Sequence, residues 1–133
     1  MERTESAPPG RLERRKARTR AAILAAASEL FTQQGYEGTS IAEIASRADT
    51  GVGTVYGYFP SKEDILLEVV KSWSEEAADE YAASMESAPS CLAQLTQALE
   101  ARAHFVHAHQ PVLMAAIEVS ARSGKPSLRL EWL

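Results

Sequence analysis

Residues 40–59, which read SIAEIASRADTGVGTVYGYF, constrain the fold of this chain more than any other stretch. Ser40 can cap a helix, and Glu43 follows three residues later, where it completes a capping box. Asp49-Thr50-Gly51 then has the composition of a turn, and we expect Gly51 to supply backbone angles that other residues avoid. The helix between them has apolar residues at helical spacing, namely Ile41, Ile44, Ala45 and Ala48.

A second short helix is predicted from Val52 to Tyr58, because Pro60 cannot continue it. Gly53 inside this helix costs roughly 1 kcal/mol relative to alanine, so stability does not explain it. A phosphodiester backbone that comes close at Gly53 does explain it. The exposed side chains offer methyl, hydroxyl and aromatic groups to base edges and phosphates. Two short helices with a tight turn are typical of a DNA-reading helix-turn-helix. The side chains concerned are Val52, Thr54, Tyr56 and Tyr58.

This stretch and its flanks resemble the tetracycline-repressor (TetR) family of bacterial transcriptional regulators. Two positions depart from the family pattern and affect the expected base preference: Asp49-Thr50-Gly51 lacks the usual serine cap, and Gly57 replaces a larger residue. The resemblance extends from about Thr19 to Trp73. It rests on Ile23, Ala26-Ala27, Leu30-Phe31, Gly35-Tyr36, Thr39-Ser40, Ile44-Ala45, Gly53-Thr54-Val55-Tyr56, Tyr58-Phe59, Lys62 and Ile65-Leu66.

The resemblance implies an all-α fold, in which a three-helix bundle with the helix-turn-helix precedes a long connecting helix and a partial C-terminal helical domain. The expected division is a disordered basic arm (1–16), a DNA-binding domain (17–77) and an effector-binding and dimerisation region (78–133). The implied function is a repressor that binds a double-stranded operator with an inverted repeat and is released by a small apolar effector. A homodimer is expected if the missing C-terminal helices are supplied. The implied DNA-contacting residues are Thr39, Ser40, Val52, Gly53, Thr54, Tyr56, Tyr58 and Lys62.

The charge distribution agrees with DNA binding at one end of the chain. The net charge is -4, yet residues 1–62 carry nine basic and seven acidic residues, whereas residues 63–133 carry five and eleven. Basic residues cluster between Arg11 and Arg20, and we expect Arg14, Arg15 and Arg18 to contact phosphates. The acidic half is expected to stay away from a polyanion.

Apolar periodicity and caps predict the remaining helices. The first helix begins near Thr19 or near Leu12 and ends at Gly35, with Ile23, Ala27, Leu30 and Phe31 on its apolar side. We read Pro111 as a helix breaker. The other predicted helices are Ser61 to about Met85, Cys91 to about His109, and Val112 to Ser120, the last ended by Gly124-Lys125-Pro126.

Lys62 and a set of large apolar residues each allow two interpretations. Lys62 begins a helix, where a cation opposes the helix dipole, so it is either exposed and tolerated or placed to meet a phosphate. The resemblance favours the phosphate. Four side chains either line an apolar ligand pocket or belong to a plain core, and again only the resemblance favours the pocket. These are Trp73, Tyr81, Phe105 and Met114.

Several other classes of site are not expected. His104, His107 and His109 lack supporting cysteine ligands, so we predict neither a metal site nor a cofactor. Cys91 is the only cysteine, which excludes an internal disulfide. No catalytic motif is present, so an enzyme is not expected. Residues 1–10 lack the apolar core of a signal peptide and no run is long enough to cross a membrane, which favours the cytoplasm.

The last residues, SLRLEWL, stop in mid-pattern without a cap or breaker. We therefore expect a chain whose later helices lack the partners that would cover their apolar faces, and which self-associates from about Leu92 onward or is poorly soluble. The alternative function is a truncated helical interaction module that no longer binds operator tightly.

Overall fold

The computed structural model describes residues 10–124 of the 133-residue chain. Across these residues the fold is all-α, as predicted, and no β-strand occurs between Gly10 and Gly124. The five helices are α1 (Arg11–Gln34), α2 (Ile41–Arg47), α3 (Val52–Tyr58), α4 (Lys62–Glu86) and α5 (Cys91–Ser123).

The core lies where α1, α2, α3 and the first half of α4 meet. The predicted stripe of α1 is buried there, with Phe31 fully inside against the ring of Tyr36 at a centroid distance of 5.5 Å. Ile44 of α2, Val55 of α3 and Ile65 of α4 close over this stripe and are fully buried. Burial of apolar area therefore fixes the two short helices, which are too short to be stable alone. We call this unit, residues 11–70, the head.

Two glycines make the connection from α1 to α2 possible. Gly35 ends α1 with φ of 80°, a left-handed backbone angle that favours glycine. At Gly38 an added Cβ would lie 2.4 Å from the carbonyl oxygen of Gln34, which leaves no room for any side chain. The Gln34 side-chain amide donates to the Gly38 carbonyl at 2.8 Å and holds the turn.

The basic segment at the start of the chain is helical where the structure describes it. α1 begins at Arg11, the earlier of the two expected starts, so residues 11–16 form its first turns rather than part of a disordered arm. The expectation of disorder is wrong for these six residues, because the apolar stripe further along α1 anchors the helix and allows it to extend. Residues 1–9 of the predicted arm lie outside the described residues.

α5 is one helix where two were predicted. It continues through Pro111 from Cys91 to Ser123, so the expected break is wrong. A proline removes one backbone hydrogen bond and clashes with the preceding turn, which costs about 3 kcal/mol. The residues that follow offset this cost by packing into the core, where Val112, Ala116 and Val119 are buried. The predicted end is confirmed at Gly124, which caps α5 in the left-handed conformation.

The first half of α5 packs along the second half of α4 and leaves much apolar surface open. We call residues 71–106, the second half of α4 and the first half of α5, the outer region. Large apolar side chains of α5 there remain exposed, namely Leu92, Leu95, Leu99 and Val106. Within residues 10–124 no helix is both long and apolar enough to span a membrane.

Candidate nucleic-acid interface

The predicted capping box at the start of α2 is confirmed. The Glu43 N–H donates to the Ser40 hydroxyl at 3.2 Å, and the Ser40 N–H donates to the Glu43 carboxylate at 2.8 Å. The Ser40 backbone bond is also the main reason why the pKa of Glu43 lies below its ordinary value. Ser40 is exposed at the surface, as a DNA contact requires, but its hydroxyl is already engaged by Glu43.

The turn between α2 and α3 uses a different residue from the one expected. Asp49 has φ of 56°, whereas Gly51 has φ of -84° and an ordinary extended conformation. Asp is one of the few residues that enter the left-handed region readily, so the prediction for Gly51 is wrong and Asp49 makes the turn. The Thr50 N–H donates to the Ala45 carbonyl at 2.9 Å and closes it.

α3 presents one side to solvent and anchors the other in the core. Val55 on α3 and Phe59 just after it are buried, and they fix the orientation of this two-turn helix. The opposite side is exposed and includes Tyr56, which is 50% exposed to solvent. Tyr58 is only partly exposed and packs against the core, so it is less available than predicted. We call the exposed set the reading face: Val52, Gly53, Thr54 and Tyr56.

Gly53 has no structural reason to be glycine. An added Cβ at Gly53 would meet no atom within 4 Å, and the same holds for Gly57. The fold therefore tolerates a side chain at either position. Close approach of a phosphodiester backbone at Gly53 stays a prediction.

Thr39 does not belong to the interface. Its side chain is only 2% exposed, and its hydroxyl donates to the Gly35 carbonyl at 2.8 Å. The prediction that this side chain contacts DNA is therefore wrong. Its position before the capping box suggested exposure, but the connection between α1 and α2 folds it inward, where it closes the turn.

Lys62 is held by the head itself. Its ammonium group donates to the carbonyls of Tyr36 at 3.0 Å and Thr39 at 3.1 Å, and lies 4.2 Å from the Tyr36 ring centroid. These contacts explain why a cation is tolerated at the start of α4, because it ties that helix to the connection before α2. The pKa of the Tyr36 hydroxyl is raised, first by burial and then by Glu63 and Glu37. The phosphate role of Lys62 stays a prediction.

The basic residues of α1 divide into free and engaged side chains. Arg14, Arg15 and Arg18 are exposed, as a phosphate contact requires. Arg20 instead donates to the Glu68 carboxylate at 3.1 Å and lies 5.1 Å from the Phe59 ring centroid, so it fastens α1 to α4. In the same way Arg47 of α2 donates to Glu29 of α1 at 2.8 Å. Sequence reasoning missed both pairs, because their partners are far apart in the chain.

A cavity of about 350 Å³ lies between α4 and α5, some distance along the chain from the reading face. Tyr81 and Phe105 line it as predicted, whereas Trp73 and Met114 do not. Met114 is 49% exposed because the continuous α5 turns it outward. The lining is mostly apolar and comprises Ser74, Ala77, Ala78, Tyr81, Leu95, Ala98, Leu99, Ala101, Arg102 and Phe105.

Trp73 contacts two other helices. Its indole N–H donates to the hydroxyl of Ser28 on α1 at 3.1 Å, and its ring stacks on His109 of α5 at a centroid distance of 4.1 Å. Burial lowers the pKa of His109, Glu76 opposes this shift, and His104 adds to it. Between residues 10 and 124, no three His, Cys, Asp or Glu side chains are grouped to hold a metal ion. Cys91 is exposed and unpaired.

The sequence profile of the family described as "Bacterial regulatory proteins, tetR family" matches residues 23–69. Residues 23–69 of the chain belong to this family. The match begins within α1 and ends within α4, so it covers most of the head and the whole reading face. The predicted resemblance is thereby confirmed for the head, while the α4–α5 cavity lies outside the matched residues.

Relatives with known names or structures agree with this assignment. The HTH-type transcriptional regulator HbdR of Aromatoleum sp. (strain CIB) is 36% identical over 82% of this chain and 45% of its own length. A crystal structure of a tetR-family regulator from Shewanella sp. PV-4 is 31% identical, with a TM-score of 0.60 over 84% of this chain and 58% of that one. One from Mesorhizobium loti MAFF303099 is 28% identical, with a TM-score of 0.64 over 86% and 59%.

The chain spans less than half the length of the first two curated relatives that it matches, covering 45% of one and 46% of the other. The activity, ligands and partners of the whole relatives are therefore matters for a proposal about this chain.

Proposed function

We propose that this chain is a DNA-binding transcriptional regulator, a repressor that reads the major groove with α3. The observation that carries the proposal is the reading face, where hydroxyl, methyl and aromatic groups stand exposed on a short helix whose other side is locked in the core. Such a helix is rigid and protrudes from a compact bundle, which is the geometry of a recognition helix. Thr54 and Tyr56 are the residues that we assign to base contacts.

Phosphate contacts would come from α1. Arg14, Arg15 and Arg18 are exposed within the segment where the basic residues are most densely clustered, whereas α4 beyond the head carries Glu75, Glu76, Asp79 and Glu80. Duplex DNA would therefore be attracted to the first turns of α1 and repelled by the outer region. This polarity supports DNA binding by the N-terminal part of the chain. We propose a DNA-binding domain at 17–77 and an effector and dimerisation region at 78–133.

We further propose that a small apolar effector binds between α4 and α5 and releases the DNA. The cavity has the size and the apolar lining of a small-molecule site, with Tyr81 and Phe105 as its aromatic walls. A ligand there would act only through a difference in its affinity for the DNA-bound and DNA-free arrangements. As a homodimer on an inverted repeat, two reading faces would gain affinity from each other. A cytoplasmic location and the lack of enzymatic activity belong to the same proposal.

A helical interaction module is the second candidate, and the exposed apolar side chains of α5 favour it. Leu92, Leu95 and Leu99 lie on the surface of the outer region, where a protein partner would cover them. In this alternative the reading face no longer binds operator DNA tightly. DNA binding separates the two candidates.

The decisive experiment compares selected and random DNA duplexes. An operator is first selected from a random duplex library, and both duplexes are then titrated with the wild type and with Thr54→Ala. We expect a loss of about 1–3 kcal/mol on the selected operator and little change on random DNA, because Thr54 reads bases. Thr96→Ala removes an exposed hydroxyl of α5 that bonds only the Leu92 carbonyl, and it serves as the matched control.

A second arm tests the phosphate contacts with Arg14→Gln combined with Arg15→Gln. This variant should weaken both duplexes alike and reduce the salt dependence by a slope of about 0.9 per lost contact. Equal losses on both duplexes for Thr54→Ala would remove the base assignment. Failure to select any operator would favour the interaction module.

A further inference from the structure

We propose that Ser28, Trp73 and His109 form a joint that transmits occupancy of the α4–α5 cavity to the DNA-reading head. The proposal rests on the proposed function, since it specifies how the effector site would act on the reading face. It concerns residues that contact neither the DNA nor the effector. They are therefore positioning residues, and what carries the proposal is a set of contacts that join three helices in series.

The first contact connects α4 to the head. The Trp73 indole N–H donates to the Ser28 hydroxyl of α1 at 3.1 Å. Ser28 is followed directly by Glu29, whose carboxylate accepts a hydrogen bond from the Arg47 guanidinium of α2 at 2.8 Å. A movement of Trp73 therefore acts on the part of α1 that holds α2, and α2 precedes the turn into α3.

The second contact connects α4 to the cavity. The His109 ring stacks on the Trp73 ring at 4.1 Å with an angle of 24° between the ring planes. On its other side His109 meets Phe105 at 4.9 Å, and Phe105 is part of the cavity wall. An occupant that pushes Phe105 therefore pushes His109 against the indole. The three rings therefore form a continuous series of ring contacts from the cavity wall to α4.

α5 has two differently held halves, and the joint lies at their boundary. After Pro111, Val112 and Val119 are buried in the core, and Arg122 lies 3.7 Å from Glu37 of the α1–α2 connection. Before Pro111, the helix lines the cavity and its outer side is exposed. Pro111 lacks the N–H that would complete the helix at this boundary, so bending costs less there than elsewhere in α5.

The joint therefore has two sets of contacts that an occupant can favour or disfavour. The ring stack holds α5 against α4, and the Ser28 bond holds α4 against α1. An occupant that moves Phe105 displaces the stacked rings by bending α5 at Pro111. The second half of α5 stays packed on the head. The test measures the transmission directly.

The test uses 1-anilinonaphthalene-8-sulfonate as an apolar probe of the cavity and backbone amide chemical shifts as the readout. Leu95 and Leu99 report occupancy, and Glu29 and Arg47 report the head. Ser28→Ala and Trp73→Phe each remove the hydrogen bond from one end, and circular dichroism verifies that both variants are folded. Ser84→Ala is the matched control, because its hydroxyl bonds only the Tyr81 carbonyl of the same helix.

In the wild type and in Ser84→Ala, the probe should shift the amides of all four reporters. In Ser28→Ala and in Trp73→Phe, the shifts at Leu95 and Leu99 should persist with unchanged probe affinity, while those at Glu29 and Arg47 are lost. Head shifts that survive in both variants would overturn the joint. So would a wild type in which the probe leaves the head unperturbed or does not reach Leu95 and Leu99. None of these outcomes involves DNA, so they are distinct from a failure of operator binding.

Discussion

The head and the outer region are built from the same kind of amphipathic helix, yet they bury their apolar faces to very different degrees. In the head, α1, α2, α3 and the first half of α4 enclose Phe31, Val55 and Ile65 completely. In the outer region two helices lie side by side, and Leu95 and Leu99 remain more than half exposed. A helix pair has only one shared face, whereas a bundle encloses a core. Amphipathic periodicity therefore shows which side is apolar, and the number of neighbours decides whether that side is buried.

The difference matters for function because the two regions need different properties. A reading face must be held rigidly, and the closed core of the head does this. A cavity that accepts a ligand needs walls that can move apart. The sparse packing of the outer region allows this movement. Four predictions test or refine this contrast.

The largest effect is expected from truncating a core residue of the head. Phe31→Ala should lower the free energy of unfolding by about 3–5 kcal/mol, because it leaves a cavity in a closed core. Leu99→Ala in the outer region should change it by less than about 0.5 kcal/mol, since 62% of that side chain is already in solvent. Urea unfolding followed by circular dichroism measures both. Similar losses for the two variants would abolish the contrast.

Replacing the proline inside α5 should stabilise the chain. Pro111→Ala restores a backbone N–H in a helix that is continuous around it, so we expect a gain of about 1–3 kcal/mol in the free energy of unfolding. Pro89→Ala, in the connection before α5, is the control and should give no such gain. A destabilised Pro111→Ala would show that the fold requires the proline at the boundary between the two halves of α5.

The exposed leucines of the outer region should drive self-association. Leu95→Gln combined with Leu99→Gln should weaken association by roughly 2 kcal/mol, since covering exposed leucine surface contributes about 1 kcal/mol per residue. Sedimentation at several protein concentrations measures the effect. Leu12→Gln changes an equally exposed leucine at the start of α1 and controls for general solubility. A wild type that stays monomeric throughout would rule out this role for α5.

The smallest effect concerns pH. Burial lowers the pKa of His109 below its ordinary value of 6.5, so the unfolded chain binds this proton more readily than the folded chain. Stability therefore rises with pH up to about 6.5 and falls on acidification through the folded-state pKa. His109→Gln should flatten this part of the stability curve, and His107→Gln, at an exposed position, is the comparison variant. Thermal unfolding between pH 5 and pH 8 compares them, the range in which histidine titrates.

Much of the head was predictable because its signals are local. The capping box of Ser40 and Glu43, the end of α1 at Gly35, and the start of α4 at Ser61 are confirmed. Each depends on residues within one helical turn of each other, so the sequence contains the whole interaction. The exposure of Tyr56 was predicted from its neighbours, because Val55 and Phe59 are better core residues. The same argument predicted an exposed Tyr58, which is only partly exposed.

What sequence reasoning missed in the site has the opposite origin. Thr39 was expected at the surface, yet the chain after Gly35 turns it inward. Lys62 donates to two carbonyls of the α1–α2 connection that the sequence did not indicate, and its phosphate role stays a prediction. In both cases the partner belongs to a segment whose position depends on how the helices pack.

The amino-acid sequence by itself determined the helices of the head, their caps and the side of each helix that is apolar, because these follow from periodicity and from hydrogen bonds between near neighbours. Only the tertiary structure decided that α5 continues through Pro111, since the cost of the proline is offset by burying Val112 and Val119 against distant helices. Only the tertiary structure placed Trp73 between Ser28 and His109. These three residues are separated by dozens of positions, and nothing local to any one of them indicates the other two.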